Sequence, residues 1–143
     1  MTDEKINEFI NRIHSVNKDD KAKYGKMNVY QMVCHCADQF RMMFGEIEGL
    51  KRQEVNVAEL IEMSIKNITV PTPEGLDQVD GGGTKPTELG NDKKILIDYL
   101  NRFNECDDNY KFSFHPYFKE IDKKQWERLV ISHLNHHLSQ FNR

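Results

Sequence analysis

The stretch Trp126-Glu127-Arg128-Leu129-Val130-Ile131-Ser132-His133-Leu134-Asn135-His136-His137-Leu138-Ser139-Gln140-Phe141 contains no proline and no glycine, and its apolar residues recur every three or four positions. That period belongs to a helix with one buried face. On a wheel of about 100° per residue with Trp126 at zero, Val130 falls near ~40°, Phe141 near ~60°, Leu134 near ~80° and Leu129 near ~300°. His133 near ~340° and His137 near ~20° lie inside this stripe, and His136 near ~280° lies at its edge. A helix that buries this face takes two imidazoles in with it.

The same period recurs upstream. It predicts a first helix over Asp3–Val16, with Ile6, Phe9, Ile10 and Ile13 as its stripe and Thr2 as N-cap. A second and more apolar helix is predicted over Asn28–Glu48, and a short third over Val57–Lys66. A fourth opens on Asn91 or Asp92 and carries Ile95, Leu96, Tyr99, Leu100 and Phe103. The fifth starts near Asp122 and runs to Phe141. Pro71, Pro73, Gly75, Gly81, Gly82, Gly83, Pro86 and Gly90 crowd into twenty residues, marking a long loop that reads as a solvated connector or a lid. Its glycines lack the spacing and the preceding strand of a phosphate-binding loop. Phe112 to Phe118 form an aromatic connector, in which Pro116 turns its predecessor away from helix. No segment alternates persuasively as a strand. The expectation from the residues is an all-α antiparallel bundle of four or five helices, one of them short, with a long Gly/Pro-rich loop, in one domain spanning residues 1–143.

Composition narrows the function. The chain has 143 residues, 20 Lys plus Arg against 23 Asp plus Glu, and a net charge of −3. Without a basic surplus, general nucleic-acid binding loses its electrostatic drive. A mean hydropathy of −0.73 and short apolar runs exclude a membrane-spanning helix. Cys34, Cys36 and Cys106 are an odd count, and the first two are too close for an ordinary disulfide. With the charged start Met1-Thr2-Asp3-Glu4-Lys5, which does not read as a secretory signal, the expected location is the cytoplasm.

Two imidazoles at i and i+4 on one helix face can share one metal ion. Two separately satisfied core histidines are the plainer reading. A metal needs a further ligand from another helix. The richest source is Met32-Val33-Cys34-His35-Cys36-Ala37-Asp38. There Cys36 lies near the centre of the apolar face, with Val33, Ala37 and Phe40, while His35 lies about 130° away on its flank. Spacing alone does not choose between them. His14 and His115, near segment ends, are expected to be exposed.

Two motifs then resemble one family. His133-x-x-His136-His137-x-x-Gln140 is similar to the C-terminal histidine signature of the DinB/YfiT-like superfamily, and Met27-Asn28-x-x-Gln31-Met32-x-x-His35 resembles its first-histidine segment. With the His115-Pro116-Tyr117-Phe118 connector, Trp126 and the His-His-Leu-x-Gln-Phe ending, the chain is most similar to a branch of unknown function in that group. The resemblance implies a four-helix bundle with a divalent metal on His35, His133 and His137. It also implies chemistry on a small molecule, often with a low-molecular-weight thiol.

Three neutral imidazoles leave a cation its full double charge and an open position, an arrangement typical of catalytic sites, and zinc or nickel suits the set. The expected function is a metal-dependent transferase using a thiol, or a hydrolase using activated water. The alternatives are a non-catalytic metal-binding or sensor bundle, and a metal-free bundle. Asp38, Gln39, His136 and Gln140 are the candidates for orienting a ligand or carrying a proton. Phe114, Tyr117, Phe118 and Trp126 are candidate pocket walls, though such aromatics commonly serve as plain core. A homodimer is expected by analogy with the family.

Overall fold

The computed structural model describes residues 1–66 and 68–143. They form α1 (Asp3–Ser15), α2 (Val29–Met43), α3 (Val57–Ile65), α4 (Leu89–Glu105) and α5 (Lys123–Gln140), with no strand among the described residues. Two isolated bridges, Leu50 with Glu74 and His115 with Lys119, tie loops together.

Local chemistry sets most of the helix starts. Thr2 accepts a hydrogen bond from the Lys5 N–H and opens α1 ahead of Asp3 and Glu4, whose charges suit the positive end of the helix dipole. Two helices start with full capping boxes, Asn28 with Gln31 on α2 and Asp122 with Gln125 on α5. Each box satisfies two backbone donors that would otherwise lack partners. α4 departs from expectation. It begins at Leu89 with Glu88 as a cap that makes no side-chain bond. Asn91 and Asp92, the two expected caps, both lie inside the first turn, and Asp92 reaches back to accept from the Thr87 N–H and hydroxyl at 2.8 and 2.7 Å. α2 stops at Met43, short of the expected Glu48, because the chain turns at Gly45 with φ 73°, a left-handed conformation that glycine adopts freely.

α2 packs against α4 and α5, α1 packs against the same two helices, and α3 touches α5. The core they enclose holds Phe9, Ile13, Met32, Phe40, Leu96, Leu100, Phe103, Trp126, Val130 and Leu134, all effectively solvent-free. Truncating one of the aromatic members to alanine costs about 3–5 kcal/mol. Burial on α2 is not confined to one stripe: Val33, Cys34, His35, Cys36, Ala37 and Asp38 are consecutive and all buried. A helix enclosed on opposite sides buries its flank as well as its centre.

Between α3 and α4 the glycine-rich segment is held at its middle by one carboxylate. Asp38 of α2 accepts from the Thr84 N–H (2.8 Å), the Thr84 hydroxyl (2.6 Å), Gln78 Nε2 (3.3 Å) and Arg41 (2.8 Å). Gly83, at φ 70°, makes the approach feasible: a Cβ there would stand 2.7 Å from Asp38 Oδ2. Leu76 and Gln78 of the same segment are buried.

Candidate metal centre

The capping box at Asn28–Gln31 fixes where α2 begins, and this brings His35 to the side facing α5. His133 and His137, one turn apart on α5, face it. Their ring centroids are 4.5 Å apart, and His35 lies 4.8 Å from His133 and 4.5 Å from His137. One ligand atom from each of the three lies within 4.8 Å of the others. His35 Nε2 and His133 Nε2 are only 3.0 Å apart.

Protonation follows from the partners. Gln140 Oε1 lies 2.8 Å from His137 Nδ1, and a carbonyl oxygen only accepts, so Nδ1–H donates and His137 Nε2 keeps its lone pair. That Nε2 is buried without a hydrogen-bond partner among the described residues, as are the Nδ1 atoms of His35 and His133. Burial lowers the basicity of His35, and it lowers that of His133 well below the ordinary range, with His137 and His35 adding to the effect. Burial, then the neighbouring His35, brings His137 down to about 3. All three rings are therefore neutral at pH 7. One proton at most fits between His35 Nε2 and His133 Nε2, and a third lone pair arrives from His137. A single N–H can join His35 to His133, but it leaves the His137 Nε2 lone pair without a donor among these three; one cation can accept from all three nitrogens.

Cys36, the alternative to His35 on spacing, points elsewhere. Its Sγ lies 3.8 Å from Met32 Sδ, and burial pushes its thiol pKa up, so it behaves as a small apolar group. The other two cysteines are also free thiols. Of the groups expected to assist, Gln140 orients His137, as described. His136 is half-buried, its ring 4.8 Å from His137 and 5.8 Å from Tyr24. Asp38 spends its oxygens on Arg41, Gln78 and Thr84, which places it as an anchor for the glycine-rich segment. Gln39 lies one turn after His35, and its Oε1 is buried without a partner among the described residues. On the face of α5 turned away from His133 and His137, Ile68, Thr69, Ile131, Ser132, Asn135 and His136 line a cavity of about 590 Å³.

Two expectations fail. His115 is buried, 3% exposed, where exposure was expected. Its Nδ1 accepts from the Tyr117 and Phe118 N–H groups, and its ring packs on Phe118 and Trp126, so the turn that Pro116 forces folds the ring inward. Phe114, expected as a pocket wall near the metal, is 68% exposed and lies in the connector before His115. His14 is exposed as expected.

The sequence reading missed the segment between α1 and α2. Lys23 N–H donates to the Gln140 carbonyl at 2.8 Å, and a Cβ on Gly25, at φ 84°, would meet Gln140 Nε2 at 2.8 Å. Arg143 pairs with Asp20 at 2.5 Å. These contacts close the end of α5 over the residue that orients His137. Gly25 was visible as an isolated glycine ahead of a helix, but its partner lies more than a hundred residues away.

The chain matches the family described as Protein of unknown function (DUF1569) over residues 1–143, and it belongs to that family. No curated protein and no solved structure matches it.

Proposed function

We propose that this member of the DUF1569 family is a DinB/YfiT-like antiparallel four-helix bundle, built of α1, α2, α4 and α5, that binds one divalent metal ion on His35, His133 and His137 and acts on a small molecule. The observation that carries this reading is the convergence of three neutral imidazoles from two helices, with two Nε2 atoms 3.0 Å apart and no proton to reconcile them all. Zinc or nickel suits a set of three imidazoles.

When bound, such an ion retains its double charge and acidifies a water or thiol at its open position toward a pKa of roughly 7. The residues of the chain do the rest. His35, His133 and His137 offer uncharged nitrogens at neutral pH, because burial holds them unprotonated. Gln140 locks the His137 tautomer so that Nε2, not Nδ1, faces the cluster. No Cys, Asp or Glu joins the three imidazoles among the described residues, which leaves room for a substrate atom. His133 is the least buried of the three and marks the side from which the cluster is approached. This combination favours a thiol-dependent transferase or a hydrolase over a closed storage site.

Elemental analysis of untagged protein tests the first step: about one zinc or nickel per chain is expected, as in single-ion three-histidine sites. For the second step, a small thiol such as glutathione is added to the cobalt(II)-loaded protein. A change in the visible spectrum is expected if the open position accepts thiols. Metal-free protein that also refuses added zinc and nickel would end the proposal.

A further inference from the structure

Another buried histidine, His115, stands at the far end of α2. The chain leaves α2 at Phe44, nine residues or about 14 Å of helix beyond His35. There the α2–α3 connector and the aromatic connector 112–119 enclose a groove of about 630 Å³. Its apolar lining includes Met42, Ile47, Leu50 and Phe114, and its polar lining includes Lys51 and Lys119 together with His115.

Three features of this groove point to one ligand chemistry. First, the His115 ring is presented in a single tautomer. Two backbone N–H groups point at Nδ1, at 3.1 and 3.4 Å, so Nδ1 must accept and the proton sits on Nε2. Nε2–H makes no hydrogen bond among the described residues, and His115 is part of the groove lining. Second, the charges do not cancel. Lys51 and Lys119 take part in no ion pair among the described residues. Glu46 is held by Arg102 at 2.6 Å and by the Tyr99 hydroxyl. Glu48 remains as a single opposing charge in the lining. With Glu46 neutralised by Arg102, the groove is left with two positive charges and one negative, which suits a monoanion better than a dianion. Third, Lys119 holds φ 64°, an uncommon conformation for a residue with a side chain, and it is fixed there by paired backbone bonds with His115 at 2.8 and 2.9 Å. Leu50 and Phe114 stand 55% and 68% exposed in the same lining, leaving apolar surface for a ligand to cover.

We propose that this groove is a second ligand site, separate from the imidazole cluster, which takes a small monocarboxylate with an apolar body. The carboxylate meets His115 Nε2–H and the two lysine ammoniums, and the apolar body lies on Phe114 and Leu50. Burial keeps His115 from ionising near neutral pH, so it serves as a fixed neutral donor.

The test is a titration of the full-length, isotope-labelled protein with 3-phenylpropionate, read from backbone amide resonances. Saturable shifts are expected at residues 45–51 and 113–119, with a Kd of about 1 mM or tighter. The uncharged 3-phenylpropionamide and inorganic phosphate are each expected to bind at least about tenfold more weakly, a difference of about 1.4 kcal/mol. The Lys51→Gln/Lys119→Gln double variant and, separately, Phe114→Ala change groups at the surface, and each is expected to weaken 3-phenylpropionate binding with the rest of the spectrum unchanged. His133→Ala is expected to leave binding intact, which separates this site from the metal reading. Absence of saturation, shifts centred outside these two segments, phosphate binding as well as the carboxylate, or unchanged binding in the double variant would each overturn the proposal.

Discussion

His137 and His115 are both buried imidazoles whose basicity burial lowers, to about 3 and about 4, yet they are prepared for opposite partners. His137 gives its Nδ1 proton to a side-chain carbonyl and turns a bare lone pair toward two more imidazoles. His115 accepts two backbone hydrogen bonds at Nδ1 and keeps its proton on Nε2. One arrangement gathers lone pairs and suits a cation; the other presents a donor beside two lysines and suits an anion. The lesson is that burial alone says little about what a histidine does. The group that engages Nδ1 decides it.

The comparison breaks most visibly at the metal. His133→Ala and His137→Ala should each reduce bound zinc or nickel from about one ion per chain to a small residue, because two nitrogens of a three-histidine site bind weakly. Elemental analysis after extensive dialysis measures it, and metal content equal to wild type in both variants would remove the centre.

Next is acid stability. His115 has its folded pKa at about 4, below an unfolded value of 6.5, so the unfolded chain binds the extra proton first. Its contribution is fully present above pH 6.5 and is lost as pH falls from 6.5 toward 4, by about 3 kcal/mol for this group. Urea titrations of metal-free protein at several pH values should show a slope to which the three clustered histidines also contribute, and His115→Asn, which keeps an acceptor near the two N–H groups, should reduce it by this share.

A smaller effect is expected at Gln140. Gln140→Ala frees the His137 tautomer and should weaken zinc affinity about tenfold, as loss of a group supporting a metal ligand typically does. Competition with a chromophoric chelator reads it. An unchanged affinity would mean that packing alone holds the ring.

The smallest lies outside both histidine sites. Gly83→Ala places a methyl against Asp38 in a left-handed conformation and should cost about 1–2 kcal/mol in thermal unfolding, with metal content unaffected.

Much of the helical layout was legible from residues alone. The apolar period located all five helices, and Thr2 and Asp122 cap α1 and α5 as their side chains allow. Boundaries failed where a backbone group competed: Gly45 ended α2 early, and Asp92 turned back to Thr87 instead of capping α4. The candidate site was half legible. His133 and His137 follow from their own helix, since one turn of α-helix sets their spacing. His35 against Cys36 did not follow, because a wheel describes one helix and not which neighbour covers each side of it.

From the residues by themselves came the helices, the absence of a long apolar span and a pair of imidazoles on one buried face, all consequences of short-range periodicity and side-chain chemistry. Tertiary structure alone decided that α2 is buried on its flank as well as its centre, which sets His35 opposite α5. It also decided that Asp38 anchors a loop, that residues 20–25 close over Gln140, and that His115 folds inward. Each of these joins groups far apart in the chain, and local propensity carries no information about such meetings; packing and hydrogen-bond satisfaction settle them.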